Sequence, residues 1–168
     1  MRVLMLLIIF ISLLSSKIIV ANEPNLSELR DLYYRAAENK ESAFRLSAML
    51  KTVDTRSPSI LVCYKGVSEM LEAKYLINPF NKLSKFKNGR KLIEHAVKAN
   101  PHEIEIRFLR FCIQTNLPGF LGYKDHIKGD KAFLIAQVNK INDGELKQKV
   151  KEYLFNSKCC SSEELKKI

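Results

Sequence analysis

Three polar side chains share one face of an otherwise apolar segment. Arg107, Arg110 and Gln114 stand three and four residues apart in "IRFLRFCIQTN", the spacing that aligns side chains on a helix. Two guanidiniums so placed can grip a carboxylate or phosphate through paired hydrogen bonds. With Tyr123 after the following turn, they are the candidate lining of a partner-binding surface. The competing use of the strip is local, with Glu103 pairing to Arg107 four residues on. His126 and Asp130 also share a helical face, which suits acid–base work or two metal ligands. No third converging group can be named beside them.

The run "KLSKFKNGRK" carries Lys82, Lys85, Lys87, Arg90 and Lys91. On a helix these cover about half the circumference, opposite Leu83, Phe86 and Ile93. Such a face is either simply solvated or docks on anionic lipid or glycan, and docking of that kind weakens with salt. Other chemistries lack their signatures. There is no nucleophile elbow and no Cys/His pattern, and none of the six glycines spaces as a phosphate-binding loop. No cofactor and no metal are expected, and the chain reads as non-enzymatic. Of the four cysteines, Cys63 and Cys112 lie in apolar helical patterns and could bridge only if their helices pack together. Cys159 and Cys160 are adjacent, a poor geometry for a mutual disulfide.

The elements that must position these residues read as one helix after another. Residues 1–21 stand apart: Arg2 followed by "VLMLLIIFISLL" has the form of a signal peptide with cleavage after Ala21, retention as an anchor being the alternative. Removing them takes Arg2 and Lys17 and no acid, so the net charge falls from +10 to +8. Outside the cytoplasm, that excess points to anionic lipid, glycan or an acidic protein rather than nucleic acid. The expected location is periplasmic or secreted, with residues 22–168 as a single domain.

Within it, Asn25 with Glu28 caps a first helix, and a second starts near Glu41. Ser57-Pro58 opens a third, and Asn78-Pro79 a fourth with Phe80, Leu83, Phe86, Ile93, Ala96 and Val97 inward. Asn100-Pro101 with Glu103 opens a fifth, apolar on most sides and so the most buried. A sixth runs from about Lys124 to Lys140, Asp143 caps a seventh, and Ser161 with Glu164 caps a short eighth. No stretch alternates with period two. The fold class is all-α: stacked antiparallel helical hairpins, about seven or eight helices.

The turn Leu117-Pro118-Gly119-Phe120-Leu121-Gly122-Tyr123 is unusually apolar. Phe120 and Leu121 are expected to fold under and plug the corner between the fifth and sixth helices, a partner-binding lip being the alternative.

Gly89, Ile93 and Ala96, followed by Asn100-Pro101, resemble the second helix of a tetratricopeptide-type repeat. There, small residues let two helices approach closely and a proline starts the next unit. No copy recurs at about 34 residues, so the resemblance implies a degenerate, TPR-like stack. The stretches Asn78 to Gly89, Ile106 to Tyr123 and Ile127 to Lys131 resemble, in that order, a family of small exported bacterial helical proteins. That resemblance implies export and a helical fold, and it lends no activity. Two functions follow as expectations. One is a helical interaction module binding an envelope protein or peptide through Arg107, Arg110, Gln114 and Tyr123. The other is a peripheral envelope protein meeting anionic lipid or glycan through the basic fourth helix.

Overall fold

The computed structural model describes residues 24–157 and 159–168; the expected signal segment lies outside them. The described residues form eight α-helices and no strand: α1 (Leu26–Ala36), α2 (Lys40–Met49), α3 (Ser59–Tyr75), α4 (Pro79–Ala99), α5 (Ile104–Asn116), α6 (Ile127–Gln137), α7 (Gly144–Asn156) and α8 (Ser162–Leu165). Short 3₁₀ turns at Gly119–Leu121 and Val138–Lys140 join α5 to α6 and close α6. The all-α expectation holds, helix for helix.

Most expected caps are present. The Asn25 and Asn78 side chains accept the first free N–H groups of α1 and α4, and Pro79 occupies the first turn of α4, where its missing N–H costs nothing. The capping box at Ser161 and Glu164 is complete. Two starts differ. The Ser57 hydroxyl accepts from the Asp54 N–H of the preceding turn and leaves Pro58 at the α3 cap position. Asn100 closes α4, and α5 begins only at Ile104. The sixth helix is also shorter than the Lys124 to Lys140 expected, its last turn tightening to 3₁₀.

Helix α5 organises the core. Ile106, Leu109 and Ile113 face a cluster built with α1, α2, α3 and α4, whereas Phe108, Phe111 and Cys112 face a second built with α6 and α7. It buries nine of its thirteen residues, as its all-round apolar pattern requires. Helices α3 and α4 run antiparallel: Gly66 faces Gly89 and Ile93, while Glu69 and Glu72 face Lys85. Phe80 and Leu83 depart from the inward expectation. They are 81% and 44% exposed, and Ile77 just before them is 97% exposed. The first two turns of α4 carry core-type residues with no helix over them.

A buried ion cluster ties α1 to α5 and α7. Arg30 donates from Nε and Nη2 to the two Glu105 oxygens at 2.8 and 2.7 Å, and the Tyr64 hydroxyl donates to Glu105 Oε1 at 2.6 Å. Arg30 Nη1 reaches Asp143 Oδ2 at 2.7 Å, while Asp143 Oδ1 accepts from the Leu146 N–H and so caps α7. The Leu146 N–H first, and Arg30 next, hold the Asp143 carboxyl below its usual range. A depressed folded-state value means that this support is full above the unfolded value of about 4 and fades as pH falls through the folded one. Asp143→Ala should lower stability at neutral pH by about 1 to 2 kcal/mol. In urea titrations the gap to the parent should close as the medium becomes acidic; a gap that widened there would contradict the capping role.

Candidate functional site

The strip Arg107, Arg110, Gln114 faces inward. The Asp130 carboxylate from α6 is fully buried and accepts from Arg110 Nε at 2.7 Å, from Arg110 Nη2 at 2.8 Å and from Arg107 Nε. Arg110 Nη1 continues to Glu94 Oε2 of α4 at 2.8 Å, and Glu94 Oε1 accepts from the Tyr123 hydroxyl at 2.6 Å. Arg110, Gln114 and Tyr123 are at most 5% exposed, so they cannot line a surface for a partner. Arg107 pairs with Asp130 rather than with Glu103, and its guanidinium lies 4.5 Å from the Phe133 ring centroid. The Gln114 carbonyl accepts from the His126 N–H at 3.3 Å, and its buried Nε2 has no partner among the described residues. This is a correction: the strip clamps an anion, but the anion is Asp130 of the same chain. For the same reason Asp130 is not free to act with His126.

The basic run of α4 divides into two groups. Lys85 bridges Glu69 and Glu72 of α3 at 2.9 and 2.6 Å. Arg90 donates to the Gly122 carbonyl at 3.2 Å and stacks over the Tyr123 ring, its guanidinium 4.9 Å from the centroid. These two hold structure. Lys82, Lys87 and Lys91 are exposed, and none has a carboxylate within ion-pair distance among the described residues. Phe80, Lys87 and Lys91 fall at intervals of seven and four, which puts them on one stripe of the helix.

The apolar turn after α5 splits as well. Leu121 packs against the core and Tyr123 is buried, but Phe120 is 86% exposed, against the expectation that it folds under. In a 3₁₀ turn successive side chains point about 120° apart, so neighbours cannot both face one core. Gly122, at φ +60°, then redirects the chain toward Tyr123.

Phe120 and the start of α4 flank a cleft of about 970 Å³. Its floor is Met70, Phe86, Cys112 and Ile113, and its walls come from Tyr33 and Leu71. Lys82, Leu83 and Phe120 stand at the rim. Where exposed Asn116 joins the lining, the Tyr153 hydroxyl accepts from Asn116 Nδ2 and shares a 2.6 Å hydrogen bond with the Thr115 hydroxyl. Lys74 and Lys82 are the charged residues of the lining, and no carboxylate joins them. Lys74 gives one N–H to the Ala37 carbonyl at the exposed end of α1 and keeps its charge. A depression on α7 between Lys147 and Phe155 is lined by that helix alone and gives a ligand nothing to enter.

All four cysteines are unbridged. Cys63 lies in one core cluster, its thiol directed at the Ile106 carbonyl, and Cys112 lies in the other. Burial pushes both thiols well above the usual cysteine range, so they behave as small apolar groups rather than nucleophiles.

The cleft was missed in the sequence because its residues come from five helices and a turn. Its trace there was indirect, in Ile77, Phe80 and Leu83: more apolar residues at the start of α4 than the helix can bury. Scans against protein families, curated proteins and solved structures found no match to the chain.

Proposed function

We propose that the protein is a non-enzymatic, peripheral protein of the cell envelope that docks on an anionic lipid surface through the start and outer face of α4. One observation carries the reading: exposed Phe80 shares one stripe of α4 with the exposed Lys87 and Lys91, and exposed Ile77 stands just before the helix. Neither lysine has a carboxylate within ion-pair distance among the described residues. Apolar side chains that enter the headgroup boundary, beside cations that meet anionic lipid, are the two components of interfacial binding. The apolar members favour lipid over glycan, which offers no apolar phase. No helix among the described residues is long and apolar enough to cross a membrane. A protein or peptide partner was the first expectation. The strip that motivated it is occupied from within.

The chain has no tryptophan, so Phe80→Trp supplies a single reporter at an exposed position. With vesicles rich in phosphatidylglycerol, its emission should shift to the blue and the protein should co-sediment, both effects fading as salt rises. Adding Lys87→Glu and Lys91→Glu should cut the apparent affinity by about thirtyfold or more, about 1 kcal/mol for each lysine lost plus the repulsion of the new carboxylates. Absence of co-sedimentation at low salt, or binding indifferent to salt, would sink the reading.

A further inference from the structure

We propose that the cleft between α1, α3, α4 and α5 is a binding site for a long-chain fatty acid, with the acyl chain inside and the carboxylate at Lys82. Three observations combine. The interior is apolar along its length, from Leu83 and Phe86 past Met70 to Cys112 and Ile113. The amide of Asn116, exposed at the edge of the lining, already donates to the Cys112 carbonyl and to the Tyr153 hydroxyl, which also bonds the Thr115 hydroxyl. The buried portion of the occupant must therefore be apolar, since a polar group entering without a partner loses its hydration uncompensated. Charge is confined to two cations, Lys74, which gives one of its three N–H groups to the Ala37 carbonyl, and Lys82 at the rim. The Lys82 ammonium has no hydrogen-bond partner among the described residues and is the freer to meet a carboxylate.

A site with an apolar interior and a cation at its mouth selects an apolar chain with an anionic end. Its volume of about 970 Å³ is at the upper end of small-molecule sites, about 300 to 1,000 Å³, and leaves space for one chain with room to bend. Phe120 and Leu83, exposed at the rim, would be covered by the upper part of the chain. The mouth also adjoins the exposed start of α4, so a ligand could pass in from a membrane on which that helix rests.

The site is tested without vesicles, so its success or failure is separate from that of docking. Full-chain protein is titrated with 11-dansylamino-undecanoic acid, and the bound probe is competed with palmitate or with hexadecanol, which has the same chain and no charge. Expected are saturable enhancement of dansyl emission, displacement by palmitate, and weaker displacement by hexadecanol. Lys82→Glu, an exposed change that leaves the fold alone, should weaken palmitate by about tenfold, one unit of log affinity, and leave hexadecanol unchanged. Phe120→Asp at the rim should weaken both competitors. Non-saturable probe binding, or equal palmitate affinity in the parent and Lys82→Glu, overturns the proposal. So does stronger displacement by an acidic amphipathic peptide than by palmitate, which would give the cleft to a protein segment.

Discussion

Replacing Asp130 by Asn should lower the unfolding free energy by about 3 kcal/mol, at the low end of the range for breaking a buried ion pair from one side. The carboxylate has no solvent exposure and is the shared acceptor of Arg107 and Arg110. Asn keeps the size and one acceptor oxygen but removes the charge, so the loss reports the uncompensated guanidiniums rather than a cavity. Glu94 remains beside Arg110 at 2.8 Å and is a third exposed, which limits the penalty. Domains of this size are stable by only about 5 to 15 kcal/mol, so the shift would be plain in a urea titration. The pair Arg110→Met with Asp130→Leu should recover part of the loss, because the Arg110–Asp130 pair is replaced by apolar groups, while Arg107 keeps its charge without the carboxylate. A change below about 1 kcal/mol for Asp130→Asn, the magnitude of an exposed pair, would mean that water reaches the cluster.

The same cluster shows what a single sequence can and cannot reveal. Helices were legible because periodicity and caps are local: Asn25, Asn78, Asp143 and Ser161 each cap the helix that they precede. The all-round apolar pattern of α5 correctly marked it as the central element. The environment of a polar strip is not local. Arg107, Arg110 and Gln114 on one face signal that something polar opposes them, but solvent, a partner and a carboxylate on another helix leave identical traces in α5 itself. Asp130 and Glu94 lie 20 and 16 residues from Arg110 in sequence and within hydrogen-bond reach in space. The lysines of α4 carry the same ambiguity. Only the position of Glu69 and Glu72 across from Lys85, and of Gly122 and Tyr123 across from Arg90, separates the structural pair from the exposed trio. Phe120 and Leu121 illustrate a third limit, since a one-residue step in a tight turn decides which ring the core receives.

Gly89 marks a different kind of legibility, in which a residue type reports a distance. A Cβ added there would lie 2.5 Å from the Gly66 carbonyl oxygen and 2.7 Å from Met70 Cγ; one added at Gly66 would lie 2.7 Å from the Gly89 carbonyl oxygen and 2.8 Å from Ile93 Cγ1. A backbone oxygen cannot rotate away, so α3 and α4 would have to separate. In an open helix Gly→Ala is favourable by about 1 kcal/mol, whereas overpacking costs about 1 to 3 kcal/mol or more. Gly89→Ala and Gly66→Ala should therefore each destabilise by about 1 to 3 kcal/mol. Gly129→Ala, in α6 with nothing within 4 Å of the new atom, should stabilise by about 0.5 to 1 kcal/mol. One substitution with opposite signs at two helical sites can be read from melting temperatures alone, and stabilisation at Gly89 would mean that the helices do not touch there. The effect also reaches the cleft. Met70 and Phe86 on its floor belong to the two helices that Gly66 and Gly89 hold together. A Gly89→Ala protein that still folds should thus bind palmitate more weakly, although its substituted residue lies outside the lining, while Gly129→Ala leaves binding unchanged.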